Sequence, residues 1–475
     1  MARFLLVIVL TTVTSLAAQV SSTVSDQTGA VSFNKDVLPI LQRNCQLCHR
    51  TGEVAPMSFQ TYESTRPWAR AIKEAVLSKQ MPPWFADARY GYFRNAPKLT
   101  ESDIKTLVAW ADNGAPEGDA RDKPATANWQ DGWRIKPDVI VSIPEPHNVP
   151  AKGSGEIKSF LVPNPFKQDT WVNSIEIRPG EPSVVHHVMV QVPEDTPGPA
   201  FSWGAVSPAC IPQASEAFLE SPVGIGSPST AQVKRPKNFA ILEAVYVPGS
   251  PVTDFRYENS AKLIKGGGNL RIEVHYTPNG RAVADQTRIA FAVASTPPER
   301  KFIMLAPKSI ANAKVPIPAG EANWETRGEL EFGQDAQLVS FMPHMHLRGK
   351  DMSFKLIFPN GRMETVLDAR FNFNWQLGYE LDEPIRVPKR TRMVVVAHHD
   401  NSPNNPFNPD PAKEVVWGNL TSEEMVLPWF GVIVDRDADP EKLLSIRQGG
   451  CSPIRRVLST SPVRLPRVPI LRNRN

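Results

Sequence analysis

Ser340-Phe341-Met342-Pro343-His344-Met345-His346-Leu347-Arg348-Gly349-Lys350 is the stretch from which the body of this chain is best read. Successive side chains of a strand point to opposite faces, so two histidines at i and i+2 put both imidazoles on one face. Other histidines stand in similar settings. His186-His187 lies in Pro182-Ser183-Val184-Val185-His186-His187-Val188-Met189-Val190-Gln191-Val192, which reads as a buried strand. His275 lies in Leu270-Arg271-Ile272-Glu273-Val274-His275-Tyr276, a strand running into the turn at Pro278-Asn279-Gly280. His398-His399 follows the strand Met393 to Ala397 and precedes Asp400-Asn401-Ser402, and His147 stands alone. An adjacent pair points to opposite faces of an ideal strand. His186 and His187 therefore meet one metal only if the strand twists or bulges between them.

Length and composition frame this reading. A chain of 475 residues exceeds one ordinary core, so two or three domains are expected. Its 46 prolines argue against long unbroken helices and for strands joined by turns and extended loops. The net charge of +4 comes from the end of the chain, where Arg455, Arg456, Arg464, Arg467, Arg472 and Arg474 stand with no acid in the last 24 residues. Without that tail the charge is about −2, so nothing points to a nucleic-acid partner.

Residues 1–18 read as a secretory signal: Arg3, the apolar stretch Phe4 to Val13, and the small-residue site Ser15-Leu16-Ala17. No later run of 18 apolar residues suggests an integral membrane span, so a periplasmic or secreted protein is expected.

Two of the four cysteines stand in Cys45-Gln46-Leu47-Cys48-His49. This is the pattern for covalent haem attachment, with both thiols joined to the haem vinyl groups and the histidine as proximal iron ligand. A thioredoxin-like pair needs a βαβ setting and a zinc site needs further ligands nearby, but the next histidine is His147. A short helix from Asp36 to Leu41 leads into the pentad. Trp68, Ile72, Ala75, Val76 and Leu77 recur at helical spacing over 62–80. A helix after Thr100 is announced by Asp103 three residues on and by Ile104, Leu107, Val108 and Ala111 on one face.

This order resembles a class I cytochrome c domain over residues 31–118. The resemblance implies one covalent haem c with a methionine as sixth ligand. Met81, in Gln80-Met81-Pro82-Pro83-Trp84, fits an extended ligand loop, and Met57 competes with it. Residues 119–133 read as a polar linker.

The order of the later motifs carries a second resemblance. A His-His pair, a single His in Val274-His275-Tyr276, a His-x-His and then Met425 after Gly418-Asn419-Leu420-Thr421-Ser422-Glu423-Glu424 resembles the type II copper, ascorbate-dependent monooxygenases. That family includes dopamine β-monooxygenase and the peptidylglycine hydroxylating enzymes. The resemblance implies an all-β body of two antiparallel jelly-roll β-sandwiches, at 134–295 and 296–440, each carrying one copper and facing the other across a wet cleft. His186, His187 and His275 would bind an electron-transfer copper, and His344, His346 and Met425 the copper where O2 and substrate meet. Residues 441–475 would be a basic, disordered tail.

Three departures from the family matter. Met342 stands where the peptide-amidating branch has an arginine two residues before His-x-His, so a peptide substrate is not supported. Val426 replaces the cysteine that follows the copper methionine in the animal enzymes. Cys210 and Cys451 are the only cysteines outside the pentad; they either pair or stay free, and the relatives' disulfide framework is absent. His398-His399 lies outside the six expected ligands and is assigned a supporting or structural role. Residues 195–240, rich in Pro, Ser, Gly and Ala, read as a long connection over the cleft or a plain surface loop.

The resulting expectation is an exported copper monooxygenase that hydroxylates a C–H bond of a small organic substrate. Electrons from an external donor, ascorbate-like or a redox protein, would enter through the fused haem. Two readings of other classes compete with it: a haem/copper electron-transfer or copper-handling protein without hydroxylase activity, and a binding or structural module on the same fold without copper.

Overall fold

In the computed structural model the described residues are 31–129, 132–153, 155–193, 239–249, 252–307, 315–418 and 420–446. The signal-like stretch, Cys210, Cys451, the arginine tail and nearly all of the 195–240 connection lie outside them. Among the described residues no helix is long and apolar enough to cross a membrane.

Four helices come first: α1 (Leu38–Asn44), α2 (Tyr62–Thr65), α3 (Ala69–Leu77) and α4 (Glu101–Asp112). The helical spacing over 62–80 is broken between α2 and α3, where Pro67 sits in a 3-10 turn at Arg66–Trp68. Only Ile72 and Val76 of that face are buried, while Trp68 and Leu77 are exposed. α4 starts as Thr100 and Asp103 announce: the Thr100 hydroxyl accepts from the Asp103 amide and the Asp103 carboxylate from the Thr100 amide. Phe33, Val37, Leu41, Ile72, Val76, Leu107 and Trp110 close a small core of their own.

The remainder is mostly β. In chain order the strands are β1 (Val139–Ser142), β2 (His147–Val149), β3 (Glu156–Pro163), β4 (Thr170–Arg178), β5 (Val185–Gln191), β6 (Phe239–Leu242) and β7 (Ala244–Tyr246). There follow β8 (Val252–Asp254), β9 (Ser260–Ile264), β10 (Asn269–Tyr276), β11 (Val283–Asp285), β12 (Arg288–Val293), β13 (Arg300–Pro307) and β14 (Trp324–Phe332). The last are β15 (Ala336–Met345), β16 (Gly349–Ile357), β17 (Met363–Arg370), β18 (Tyr379–Val387), β19 (Arg392–His399), β20 (Val426–Asp435) and β21 (Leu444–Ile446). A ten-stranded sheet runs β1-β12-β4-β9-β13-β20-β15-β18, with β6 on β13 and β8 on β4. A four-stranded sheet, β3-β10-β5-β7, and a five-stranded sheet, β17-β16-β19-β14-β21, pack against it. β21, buried through Leu444, carries the body into residues that the sequence assigned to the tail.

The long sheet serves two cores. On β13, Phe302, Met304 and Ala306 join the first core, which contains Val188, Ile272 and Ile289. Ile303 and Leu305 join the second, with Phe354, Val395 and Ala397. β20 alternates likewise, sending Leu427, Trp429 and Ile433 one way and Val426, Phe430, Val432 and Val434 the other. Strands buried on both faces read as continuous apolar runs, as Val426–Val434 does.

The helical unit is fastened to both cores. Residues 84–96 span the free edges of the second unit: Ala86 bridges to Ala369 next to β17's end, and Phe93 to Leu381 in β18. Trp84 and Phe93 pack edge-on against Tyr379. Arg94 reaches Glu380 at 2.7 Å and the Tyr257 hydroxyl at 2.6 Å, joining the helical unit to both β units. The expected polar linker is also anchored, because Trp129 donates to Gln46 at 3.2 Å and lies under Arg50. Finally, Cys48 sits on the first β unit, with its sulfur 3.4 Å from where a Cβ at Gly249 would lie.

That approach puts the Cys48 sulfur within reach of a side chain at 249, although the φ of +88° there strains any residue but glycine. In a Cys45→Ser background without haem, Gly249→Cys is expected to close a disulfide with Cys48 under mild oxidation. Thiol titration and non-reducing electrophoresis read it, and two persistently free thiols would contradict the docking.

Candidate metal centre

Five histidines from three strands, β5, β10 and the end of β15, meet on the side of the first core. The register between β5 and β10 pairs His187 with His275 but Val185 with Tyr276, so His186 is the extra residue of a β-bulge. The bulge turns the adjacent pair to one side, with His186 Nδ1 and His187 Nδ1 3.0 Å apart. The His187 and His275 rings lie 3.7 Å apart between centroids. A knot at the end of β10 fixes this edge: Tyr276 donates to the buried Asp285 at 2.9 Å and stacks on His147 at 4.8 Å.

β15 supplies the second group. Beyond its own bulge near Val339, Phe341 and Met345 face the second core and Met342 the first. His344 and His346 share Met342's side by the two-residue period. His344 pairs with Leu427 of β20, and Met425, two residues earlier in chain and just before β20, lies on the same side in the first core. The His344 and His346 rings are 5.5 Å apart, and His344 stands edge-on to His187 at 5.7 Å. The wet cleft implied by the resemblance is therefore absent between these rings, and the two groups are in direct contact.

Hydrogen bonds settle which ring nitrogens stay free. A carbonyl or carboxylate oxygen only accepts, so the nitrogen facing it carries the proton. His186 Nε2 donates to the Phe373 carbonyl at 2.8 Å, so its Nδ1 lone pair accepts from His187 Nδ1 at 3.0 Å. His275 Nε2 faces Glu273 Oε1 at 3.1 Å, leaving Nδ1. His346 Nδ1 donates to the Glu423 carbonyl at 3.0 Å, and His344 Nδ1 to Gln376 Oε1, so both leave Nε2. His187 Nε2 is buried without a hydrogen-bond partner.

Burial holds these rings neutral. It lowers His186 and His346 to about 4 and takes His187 and His344 well below the usual imidazole range, with neighbouring histidines adding to the effect. Neutral rings keep their lone pairs at physiological pH. As they stand, however, the rings are in van der Waals contact. Among the described residues, no group of three or more His, Cys, Asp or Glu side chains is placed to hold a metal ion.

Behind the second group lies a carboxylate that no motif singles out. Glu424 is fully buried and accepts from the backbone amides of His346 at 3.1 Å, Arg348 at 2.6 Å and Met425 at 3.3 Å. Burial raises its carboxyl to about 7. His399 Nε2 lies 3.6 Å away, and burial lowers that imidazole to about 3. His398, on the other face of β19, pairs outward with Asp351 at 2.6 Å. The adjacent pair thus splits across its strand, and neither ring joins the five-histidine cluster.

In the helical unit, Cys45, Cys48 and His49 occupy one turn after α1, with the His49 amide donating to the Cys45 carbonyl at 2.9 Å. Both cysteines are free, and burial pushes their thiols up, to about 12 for Cys45 and about 11 for Cys48. The His49 ring stacks on Phe59 at 4.3 Å. Met57 packs on the same core as Cys45, whereas Met81 follows α3 and opens the segment that docks on the second β unit.

No protein-family model matches this chain, and no curated protein does. Among solved structures it is similar to the major capsid protein P2 of bacteriophage PM2, at 10% identity and a TM-score of 0.21, over 56% of this chain and 99% of that one. It is also similar to infectious bursal disease virus, Gx strain, at 8% identity and a TM-score of 0.17, over 65% and 77%. Likenesses this slight bear on neither the fold nor the site.

The buried imidazoles give the metal-free protein a definite pH response. Their folded values lie below the unfolded one of about 6.5, so the unfolded chain takes up protons first as pH falls. Their contribution to stability is full above pH 6.5 and is lost as pH falls toward 4. Glu424, raised to about 7, acts oppositely: its contribution is full below about 4.5 and lost as pH rises through 7. Urea midpoints of the metal-free protein are expected to fall from pH 6.5 to 4.5, and His399→Phe to flatten that slope. An unchanged slope in the variant would contradict the assignment.

Proposed function

We propose that this chain is an exported copper-dependent monooxygenase that uses O2 to hydroxylate a C–H bond of a small organic substrate, with electrons entering through a c-type haem. The observation that carries the reading is convergence. His186, His187, His275, His344 and His346, drawn from motifs up to 160 positions apart in the sequence, share one cluster, and Met425 lies on the same side of the sheet. On this reading the body is a pair of jelly-roll sandwiches and residues 31–118 are a cytochrome c-like domain.

The donor set fits copper. Imidazoles hold copper in both oxidation states, and a thioether favours Cu(I). His186, His187 and His275 would hold one ion, the first and last through Nδ1; His344 and His346 through Nε2, with Met425, would hold the other. Bound copper supplies one-electron chemistry toward O2, which delivers one oxygen atom to the product and the other to water for two electrons and two protons. The protein's own part is to keep the imidazoles neutral, fix their tautomers and exclude water.

Cys45, Cys48 and His49 fit a covalent haem by chemistry and by their shared turn, and such a haem supplies single electrons. An ascorbate-like molecule or a redox protein would be the external donor.

Protein matured in a haem-competent periplasm and reconstituted with copper is expected to carry one haem and two coppers per chain. His344→Ala with His346→Ala should remove one copper and abolish substrate-dependent O2 uptake. Retention of copper without any O2 uptake coupled to product would favour the electron-transfer or copper-handling reading. Failure to retain copper at all would overturn the proposal.

A further inference from the structure

The segment between β17 and β18 touches both histidine groups through one side chain and one carbonyl. Gln376 is 5% exposed, and its Oε1 faces His344 Nδ1. Its Nε2 donates to the Phe373 carbonyl at 3.4 Å. That same carbonyl accepts from His186 Nε2 at 2.8 Å, and the Phe373 ring lies nearly flat on the His186 ring at 4.8 Å and 19°. The loop is held in shape by its own turns, with Asn374 donating to the Asn372 side chain at 3.0 Å and Trp375 to the Asn372 carbonyl at 2.9 Å.

From this we infer that Gln376 is a positioning residue, which sets the tautomer of His344 and ties both histidine groups to one loop. The inference rests on the copper reading above. The polarity of the Gln376 amide decides the tautomer. Rotating the Gln376 amide by half a turn would set its oxygen against the Phe373 carbonyl, acceptor against acceptor. The carbonyl therefore holds the NH2 end, which leaves Oε1 as the only atom offered to His344. His344 Nδ1 must then carry the proton, and its Nε2 lone pair is presented on the side shared with His346. Groups that fix a ligand histidine in this way commonly change metal affinity by about 10–100-fold when removed. Because the Phe373 carbonyl also holds His186, the loop sets one ring from each group in a single arrangement.

The test uses the full chain, first metal-free and then loaded with Cu(I). Imidazole nitrogen NMR of the histidine-labelled, metal-free protein reads the tautomers, and competition with a chromophoric chelator reads Cu(I) affinity. Gln376→Leu keeps the volume but offers no acceptor. It is expected to abolish the fixed Nδ1–H form of His344 and to weaken one of the two copper equivalents about 10–100-fold. Gln376→Glu keeps an acceptor toward His344 but gives up the donor to the Phe373 carbonyl, and is expected to keep the His344 tautomer while loosening the tie to the His186 group. An unchanged His344 tautomer in Gln376→Leu, or equal loss of it in both variants, would overturn the inference. If Gln376→Leu does not fold, Gln376→Glu alone decides: loss of the Nδ1–H form overturns the inference. Should the wild type bind no copper, the copper reading fails while the tautomer measurement still judges Gln376.

Discussion

β13, β20 and β15 have no solvent face, because alternate side chains on each belong to two different cores. This burial on both sides constrains everything around it. A one-residue slip of β15 would exchange every side chain between the cores and carry His344 and His346 to the wrong one. The bulge near Val339 lies where the alternation is reset, so that Met342, His344 and His346 point toward the first core while Phe341 and Met345 fill the second. β5 and β10 bring His186, His187 and His275 to the same side. The meeting of the histidines is thus a consequence of how the sheet is shared.

Local chemistry then decides what the meeting can do. A second bulge, at His186, turns an adjacent pair that an ideal strand would split. At the pair on β19 the extra residue, Lys350, lies in the partner strand β16, and the pair does split, His399 inward and His398 outward. Oxygen acceptors from Phe373, Glu273, Gln376 and Glu423 each accept from one ring N–H, which fixes the tautomer of that ring. Glu424 gathers the amides of His346, Arg348 and Met425 on one carboxylate, which holds the end of β15 to the start of β20.

Much of this was legible in the sequence, and for identifiable reasons. The two-residue spacing of His344 and His346, the strand character around His186 and His275, and the helix start at Thr100–Asp103 are local signals. The need for a bulge at His186 was also legible, as a condition rather than a finding. What was not legible depends on distant contacts. Gln376 reaches His344 across 32 positions from outside any motif, and Glu424 reaches His346 across 78 from a stretch that was quoted for Met425 alone. Gln80–Trp84 read as a haem-ligand loop, yet Trp84, and Phe93 beyond it, found Tyr379, about 290 positions later in the sequence. Nothing in a helical or strand period distinguishes a side chain that packs on its neighbours from one that packs on another unit. The cleft expected between the two histidine groups is closed for the same reason, since Phe373 and Gln376 span it from one loop.

The central claim is that two different donor sets, one of three imidazoles and one of two imidazoles with a thioether, sit side by side in this cluster. X-ray absorption at the copper edge, on Cu(I)-loaded wild type and Met425→Ala, tests it most directly. The wild type is expected to show a sulfur scatterer that disappears in the variant, while the imidazole scattering of the other copper is unchanged. No sulfur scatterer in the wild type, or the same one in the variant, would contradict it.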